Sequence, residues 1–180
     1  MWETKFQTPE AGLEMRDGAV VAGYASIFGV HDQGGDIVMP GAYAASLARL
    51  AATGGRVRLL WQHDAGQPIG VWDEVREDAR GLWVKGRLLT EVARAREAAA
   101  LMEAGAVDGL SIGYRTVRAE KLAGGGRKLH ELELWEVSLV TFPMLPVARV
   151  AAKQATDPEA VQLIAALAEG LEAARAALRD

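Results

Sequence analysis

The setting of Ser111 limits the folds that this chain can adopt. The segment Val107 to Tyr114 has the sequence Val-Asp-Gly-Leu-Ser-Ile-Gly-Tyr, in which Ser111 lies between two glycines in an otherwise apolar run. The Gly-Leu-Ser-Ile-Gly core matches the Gly-x-Ser-x-Gly pattern of a nucleophile elbow, but an elbow requires a strand, a sharp turn and then a helix. Here the residues on both sides of the serine predict strand. The pattern therefore argues against an α/β-hydrolase and favours a fold in which Ser111 lies within a sheet.

Strand-like segments dominate the chain and predict its fold class. Their apolar patterns and turn boundaries are typical of strands, and Asp17-Gly18 predicts a hairpin between the first two. Pro40 to Leu50 and Glu91 to Ala104 predict helices, and Ala119 to Arg127 predicts a mobile loop. We therefore expect a mostly β, α+β fold, a largely antiparallel β-barrel or folded sheet with peripheral helices. The predicted strands cover residues 13–16, 19–30, 56–63, 69–76, 82–89, 107–117 and 128–141.

The composition changes after Pro146, and this change predicts a boundary. The sequence Thr156-Asp-Pro-Glu159 is typical of a helix start, with a capping side chain and an early proline. After it, apolar residues recur at a spacing of three to four and predict an amphipathic helix that continues to the C-terminus. We therefore expect a β-barrel domain over residues 1–150 and a C-terminal amphipathic helix over residues 151–180.

Composition excludes several classes of protein. The net charge of −4 gives no electrostatic reason to expect a nucleic acid or an anionic membrane surface as a partner. Because the chain has no cysteine, a disulfide framework, a thiolate metal site and a cysteine nucleophile are all excluded. The sequence shows neither a signal peptide nor an apolar run of membrane-spanning length, so we expect a cytoplasmic location. The histidines lack metalloprotease spacing and no nucleotide-binding glycine motif occurs, so we expect no metal and no cofactor.

The three histidines differ in their setting. His63 is the last residue of a predicted strand and precedes a glycine-containing turn, in the sequence Gln-His-Asp. A rigid strand end is a suitable place for a general base that faces a cleft, although a solvated histidine at a strand end is the simpler alternative. His31 lies in a loop and fits a surface residue better, while His130 lies on a long strand and can face either side.

Glu136 is unusual among the carboxylates because it lies in an apolar stretch, Leu132 to Val140. A buried carboxylate is costly unless it has a partner, so we expect Glu136 to have one. A histidinium is a suitable partner, and a carboxylate in that position orients the imidazole ring of a triad. The alternative is an outward-facing glutamate on an alternating strand, a role that Glu131 and Glu133 fit better. Ser111 has a similar alternative, because strand hydroxyls commonly bond local backbone groups.

Several short motifs follow one another in a specific order along the chain. They are Gly23-Tyr-Ala-Ser-Ile-Phe28, Gly35-Asp-Ile-Val-Met-Pro-Gly-Ala-Tyr43, Leu60-Trp-Gln-His-Asp64, Pro68-Ile-Gly70, Gly81-Leu82, Gly109-Leu-Ser-Ile-Gly113, and Glu136-Val-Ser-Leu-Val140 with Pro143. Each motif alone is weak evidence, whereas the set in this order is specific. Over roughly Val20 to Val150, the chain resembles the prohead maturation proteases of tailed phages. These proteases also occur in phage-derived gene-transfer agents and are similar in fold to herpesvirus assemblin.

The resemblance implies a fold and a set of site residues. It implies an assemblin-like antiparallel β-barrel surrounded by helices. The serine of the Leu-Ser-Ile-Gly strand, Ser111, would be the nucleophile, and the histidine of Gln-His-Asp, His63, would be the base. Two residues stay open for the third member: assemblin is similar but uses a second histidine, which would be His130, whereas the phage branch points to Glu136. We favour Glu136, because an anion stabilises the transient imidazolium better than a neutral ring does.

The resemblance also implies a function. A serine endopeptidase of this kind would cleave the N-terminal scaffolding segment of the major capsid protein, inside an assembled procapsid in the cytoplasm of the bacterial host. It would also cleave itself, and the alanine-rich segment Ala151 to Thr156 is our candidate site. Backbone N–H groups of Met144 to Arg149 are the candidate oxyanion donors. Assemblin-like enzymes are active as dimers, so a homodimer is one option, although the sequence marks no dimer interface.

Two other functions are compatible with the same sequence. A non-catalytic capsid assembly protein of this fold would use the C-terminal helix to bind capsid or scaffold subunits, and it would tolerate the loss of His63 and Ser111. An esterase-like hydrolase would turn over small esters without preference for a peptide. Likeness in fold does not separate these functions, because function is carried by the site.

Overall fold

β-strands make up most of the chain, as the strand-like segments predict. The computed structural model describes residues 3–7, 14–16 and 20–142, and side chains within residues 20–142. This part of the chain contains nine strands and two helices. In chain order they are β1 (Glu3–Gln7), β2 (Glu14–Arg16), β3 (Val20–Ile27), β4 (Ile37–Val38), α1 (Ala44–Thr53), β5 (Arg58–Trp61), β6 (Asp64–Glu77), β7 (Gly81–Leu88), α2 (Ala93–Glu103), β8 (Gly109–Lys121) and β9 (Arg127–Val140).

The nine described strands form one sheet, in the order β1-β8-β9-β5-β6-β7-β3-β2, with β4 paired to β9 as well. Contacts of β3 with β8 and with β1 show that the sheet curls back on itself, into a half-barrel. The predicted mostly β fold with two peripheral helices is therefore confirmed. Two pairings differ from the antiparallel expectation, because β4 and β5 both run parallel to β9.

The buried residues of the two helices have small side chains. α2 buries Ala95, Ala98 and Ala99, whose spacing places them on one helical face toward β6 and β7. α1 buries Ser46, and the Ser46 hydroxyl accepts a hydrogen bond of 3.0 Å from the backbone N–H of Leu134 in β9. The core is mainly aliphatic, and its largest fully buried side chains from β8 and β9 are Leu110, Ile112, Leu129, Leu132, Leu134 and Leu139.

The hairpin between β8 and β9 is longer than predicted. The loop expected over Ala119 to Arg127 is shortened to residues 122–126, because β8 continues to Lys121 and β9 begins at Arg127. Gly126 has φ +79°, and a Cβ atom there would overlap the carbonyl oxygen of Gly35. Only glycine fits such a close approach. The guanidinium of Arg127 also donates to Asp36 over 2.6 Å, so the tip of the hairpin is tied to the loop before β4.

Other boundaries also differ from the sequence-based expectation. β1 and β4 were not predicted, β5 ends at Trp61 rather than at His63, and β6 begins at Asp64 rather than at Ile69. β2 and β3 pair antiparallel, as the predicted hairpin requires.

The expected C-terminal helix, and with it the expected division of the chain at residue 150, lies outside the described residues and stays a prediction. Neither of the two described helices is long and apolar enough to cross a membrane.

Candidate active site

Three neighbouring strands bring the candidate residues together. Ser111 in β8 is paired directly with Ser138 in β9, so the two side chains project from the same face of the sheet. Glu136 precedes Ser138 by two residues, and residues two apart on a strand share a face. Ser111 and Ser138 are fully buried, and the side chain of Glu136 is 4% exposed. These three side chains therefore lie where β9 is paired with β8 on one side and with β5 on the other.

His63 comes from the turn that joins β5 to β6. Trp61 pairs with Asp64, which leaves Gln62 and His63 as the two turn residues. Both have positive φ, 52° and 61°, as a type I′ hairpin turn requires of its two central residues. Such turns prefer Asn-Gly, and a left-handed conformation costs a residue with a Cβ atom about 1–2 kcal/mol. Non-glycine residues held in this region cluster at functional sites.

The ring of His63 links the serine to the glutamate. Its Nε2 lies 2.6 Å from Ser111 Oγ, and its Nδ1 lies 2.5 Å from Glu136 Oε1. With the proton on Nδ1, the ring donates to the carboxylate and its Nε2 accepts from the serine hydroxyl. The imidazole is 17% exposed, whereas the carboxylate is buried. This is the arrangement of nucleophile, base and orienting carboxylate that activates a serine for attack on a carbonyl group.

Ser138 completes the hydrogen bonding of the group. Its hydroxyl donates to Glu136 Oε2 over 2.6 Å and accepts a bond of 3.1 Å from the backbone N–H of His63. Both oxygens of the buried carboxylate therefore have a partner, as a buried charge requires. The sequence analysis did not identify Ser138, although the serine two residues after an unusual buried glutamate was a usable signal.

Gly113 leaves room for the carboxylate. It is the cross-strand partner of Glu136, and a Cβ atom at position 113 would overlap Glu136 Oε1. The second glycine of Gly-Leu-Ser-Ile-Gly is therefore required by the site itself rather than by a sharp turn. The sequence analysis identified the Gly-Leu-Ser-Ile-Gly motif but did not predict that Gly113 makes room for the Glu136 carboxylate.

The turn that carries His63 is held from both sides. The Gln62 side chain donates to Thr141 Oγ1 over 2.5 Å, and its backbone N–H bonds Leu139 O at 3.0 Å. On the other side, Asp64 accepts bonds from the Gln67 amide and from the backbone N–H of Gly66. These two bonds, the Gln67 bond first, lower the pKa of Asp64. The backbone of the turn is therefore anchored to β9 and to its own β6 side.

The other predicted residues lie elsewhere. His130 is six residues from Glu136 along β9, which is about 20 Å of extended strand, and its Nε2 lies 3.4 Å from Glu120. His31 is in a loop, where its Nδ1 lies 3.3 Å from the carbonyl oxygen of Gly35. Met144 to Arg149, the expected oxyanion segment, lies outside the described residues. Within the described part of the chain, no group of three or more His, Asp or Glu residues is placed to hold a metal ion.

Comparison with known proteins identifies the family. A family model described as caudovirus prohead serine protease matches residues 5–162. The chain belongs to this family. Among its relatives, the prohead protease of Enterobacteria phage HK97 is 33% identical over 141 residues, which cover 77% of this chain and 61% of that protein. The capsid polyprotein of Pseudomonas phage PAJU2 is 32% identical over 111 residues, which cover 57% of this chain and 16% of the polyprotein. The chain thus spans less than two thirds of the length of either relative.

A solved structure from another phage is similar in fold. The capsid assembly protease of bacteriophage T4 matches with a TM-score of 0.61 at 14% identity, covering 79% of this chain and 98% of that one. At this identity the match concerns the fold, a curled, mostly β sheet with peripheral helices. The resemblance to prohead proteases and the fold class that it implied are both confirmed.

Proposed function

We propose that this chain is a serine endopeptidase of capsid maturation, with Ser111 as nucleophile, His63 as general base and Glu136 as the third member of the triad. The observation that carries the proposal is the continuous chain of hydrogen bonds from Ser111 Oγ through the His63 ring to Glu136 Oε1. Membership of the prohead serine protease family supports the reaction class.

In the proposed mechanism, the Ser111 oxygen attacks the carbonyl carbon of a peptide bond while His63 Nε2 takes the hydroxyl proton. The tetrahedral intermediate collapses as the imidazolium gives this proton to the leaving amine, and an acyl-enzyme forms. A water molecule then attacks the ester, with His63 again as the base, and releases the carboxylic acid and the free serine. Glu136 keeps the proton on Nδ1 and stabilises the imidazolium in both steps.

Contacts of the ring support Glu136 over His130 as the third member. The 2.5 Å contact at Nδ1 is made by the carboxylate of Glu136, while His130 lies 3.4 Å from a different glutamate, Glu120 in β8. A buried anion next to the ring also favours the positive charge that His63 carries during proton transfer.

The names of the similar proteins support capsid protein as the substrate. One relative is a prohead protease, a second is a capsid polyprotein, and the protein of similar fold is a capsid assembly protease. We propose that the substrate is the N-terminal scaffolding segment of the major capsid protein, cut inside the procapsid. Self-cleavage between Ala151 and Thr156 and the formation of a homodimer are further parts of this proposal.

Co-expression with the cognate major capsid protein tests the function. The wild type and Ser111→Ala are compared by the intact mass of both the capsid protein and the protease, with Ser46→Ala as the matched control. Ser46 is also a buried serine, but it bonds backbone on the helix side of β9. We expect shortened capsid protein with the wild type and with Ser46→Ala, and full-length capsid protein with Ser111→Ala. Full-length capsid protein in all three samples, despite normal particles, would favour the non-catalytic assembly function.

A further inference from the structure

The Ser138 hydroxyl bonds both the backbone of His63 and the carboxylate that contacts the His63 ring. A serine hydroxyl has one proton to donate and two lone pairs that accept. Here the proton is committed to Glu136 Oε2 at 2.6 Å, and a lone pair accepts the backbone N–H of His63 at 3.1 Å. The same side chain therefore holds the backbone of His63 and the carboxylate that orients its ring.

The position of Ser138 follows from strand register. Ser138 is paired with Ser111 on one side, in β8, and with Leu60 on the other side, in β5. The chain leaves β5 only one residue after Leu60 and turns at residues 62 and 63. Ser138 is thus the residue of β9 that lies between the nucleophile and the turn that carries the base. An apolar residue at this position would face the same groups without a donor for the carboxylate.

The donated bond fixes the rotation of the carboxylate. Glu136 Oε1 contacts the His63 ring and Oε2 contacts Ser138, so the carboxylate plane is defined at both oxygens. Hydrogen bonds to an ionised group are stronger and more directional than neutral ones. Without the hydroxyl, the buried Oε2 would lose the hydrogen bond that Ser138 donates to it. A buried charge that loses its partner is costly.

The accepted bond holds a strained backbone. His63 has φ 61°, a conformation that is unfavourable for a residue with a Cβ atom. The His63 N–H donates a hydrogen bond to the buried Ser138 hydroxyl, and this bond favours the observed conformation over an ordinary extended one. A small rotation at His63 would move Nε2 away from Ser111, and misplacement by about 1 Å lowers catalytic rates by about 100-fold.

We propose that Ser138 is a positioning residue, which sets the geometry of both His63 and Glu136 by one hydroxyl group; the inference rests on the proposed serine peptidase function. It differs from the structural role of Ser46, a buried serine whose hydroxyl accepts a hydrogen bond from the backbone N–H of Leu134. Ser138 acts through His63 and Glu136 and does not itself react with the substrate.

The test uses three variants of the full chain: Ser138→Ala, Ser138→Thr and Ser46→Ala. One readout is the rate at which diisopropyl fluorophosphate labels Ser111, which needs no knowledge of the cleavage site. A second is kcat and KM on a peptide that spans the cut mapped in the capsid protein. A third is the NMR signal of the His63 Nδ1 proton, which reports the bond to Glu136 whether or not turnover occurs. Urea unfolding shows whether each variant is folded.

We expect Ser138→Ala to label about 10–100-fold more slowly and to lose a similar factor in kcat with KM within about twofold, as loss of a hydrogen bond to a charged group predicts. Its Nδ1 proton signal should broaden or shift. Threonine keeps the hydroxyl and suits a strand, so Ser138→Thr should recover most of the rate. Ser46→Ala should label at the wild-type rate, although it also loses a buried hydroxyl.

Different outcomes overturn different claims. If the wild type neither cleaves capsid protein nor is labelled at Ser111, the proposed function fails and the inference falls with it. If the wild type is active, three results would each overturn the inference alone: wild-type kinetics and an unchanged Nδ1 signal in Ser138→Ala, an equal loss in Ser46→Ala, or a folded Ser138→Thr that is as slow as Ser138→Ala. If Ser138→Thr does not fold, the comparison of Ser138→Ala with Ser46→Ala, together with the Nδ1 proton signal, decides whether Ser138 is a positioning residue.

Discussion

At position 113, any side chain would compete with the Glu136 carboxylate for the same space. The overlap is with Oε1, the oxygen that contacts the His63 ring. A methyl group would therefore displace the carboxylate rather than merely crowd the strand. Overpacking of this kind costs about 1–3 kcal/mol of stability, but its larger effect should be on the geometry of the site.

Gly113→Ala should lower the labelling rate of Ser111 by about 100-fold while the protein stays folded, because a shift of about 1 Å in a catalytic group has an effect of this size. Gly124→Ala is the matched control, since a Cβ atom at position 124 would meet no atom within 4 Å. Labelling kinetics and circular dichroism check both variants. Wild-type labelling of Gly113→Ala would mean that Glu136 does not have to occupy its observed position.

The identity of the third triad member is a second prediction at the residue scale. Glu136→Gln keeps the shape of the side chain but removes the charge that stabilises the imidazolium, so kcat should fall by about 100- to 10,000-fold. His130→Ala should stay within about twofold of the wild type, because His130 bonds Glu120. Peptide cleavage rates measure both. The reverse pattern would assign the role to His130, as in assemblin.

At the scale of elements, the β5–β6 turn determines the position of His63. Its two residues, Gln62 and His63, both have left-handed backbone conformations, and neither is glycine or asparagine. β-Branched residues tolerate this conformation least and asparagine tolerates it well. Two substitutions at position 62 can therefore separate the effect of the left-handed backbone conformation from the effect of losing the Gln62 side-chain amide.

Gln62→Val should be less stable than Gln62→Asn by about 1–2 kcal/mol, since both variants lose the long amide but only valine resists a φ near 52°. The valine variant should also label Ser111 more slowly, because relaxation of the turn moves His63. Urea unfolding and diisopropyl fluorophosphate labelling are the measurements. Equal stabilities would show that the turn relaxes without cost.

The sequence predicts Ser111, His63 and Glu136 because each stands out from its immediate neighbours. The elements that were missed lack such a local signal. β1 gains its strand identity from pairing with β8 about a hundred residues away, and β4 is only two residues long. The turn at Gln62 has no glycine to mark it. Ser138 has a local signal, since it follows Glu136 by two residues, but its contact with the backbone of His63 spans 75 residues of sequence. Local patterns do not encode pairings of this kind.

At the scale of the whole molecule, β9 organises both the fold and the site. It pairs with β8, which carries Ser111, and with β5, which leads into His63, while it carries Glu136 itself. The parallel pairing of β5 and β9 brings the turn after β5 to the side of β9, where His63 contacts Ser111 and Glu136. A site assembled from three paired strands depends on the sheet remaining folded, so conditions that unfold the sheet should abolish activity at the same point.

Low pH is one condition that can unfold the sheet, and Asp78 in the β6–β7 turn contributes to the stability of the sheet in acid. Partial burial alone would raise its pKa, but hydrogen bonds outweigh burial and lower the pKa to about 2. The donors are the Arg80 backbone N–H, the Tyr24 hydroxyl, the Arg76 side chain and the Gly81 backbone N–H. A carboxyl group whose pKa is lower in the folded state stabilises that state at pH values above its ordinary pKa of 3.8. This stabilisation is lost as the pH falls toward 2.

Asp78→Asn should therefore unfold at lower urea concentration than the wild type at neutral pH, and the difference should shrink between about pH 4 and pH 2. Asp73→Asn is the control, because it removes an exposed ion pair with Arg87, which is worth at most about 1 kcal/mol. Urea midpoints at several pH values check the prediction. A difference that is the same at every pH would show that Asp78 acts through the shape of the turn, whereas convergence at low pH would show that its charge stabilises the folded state.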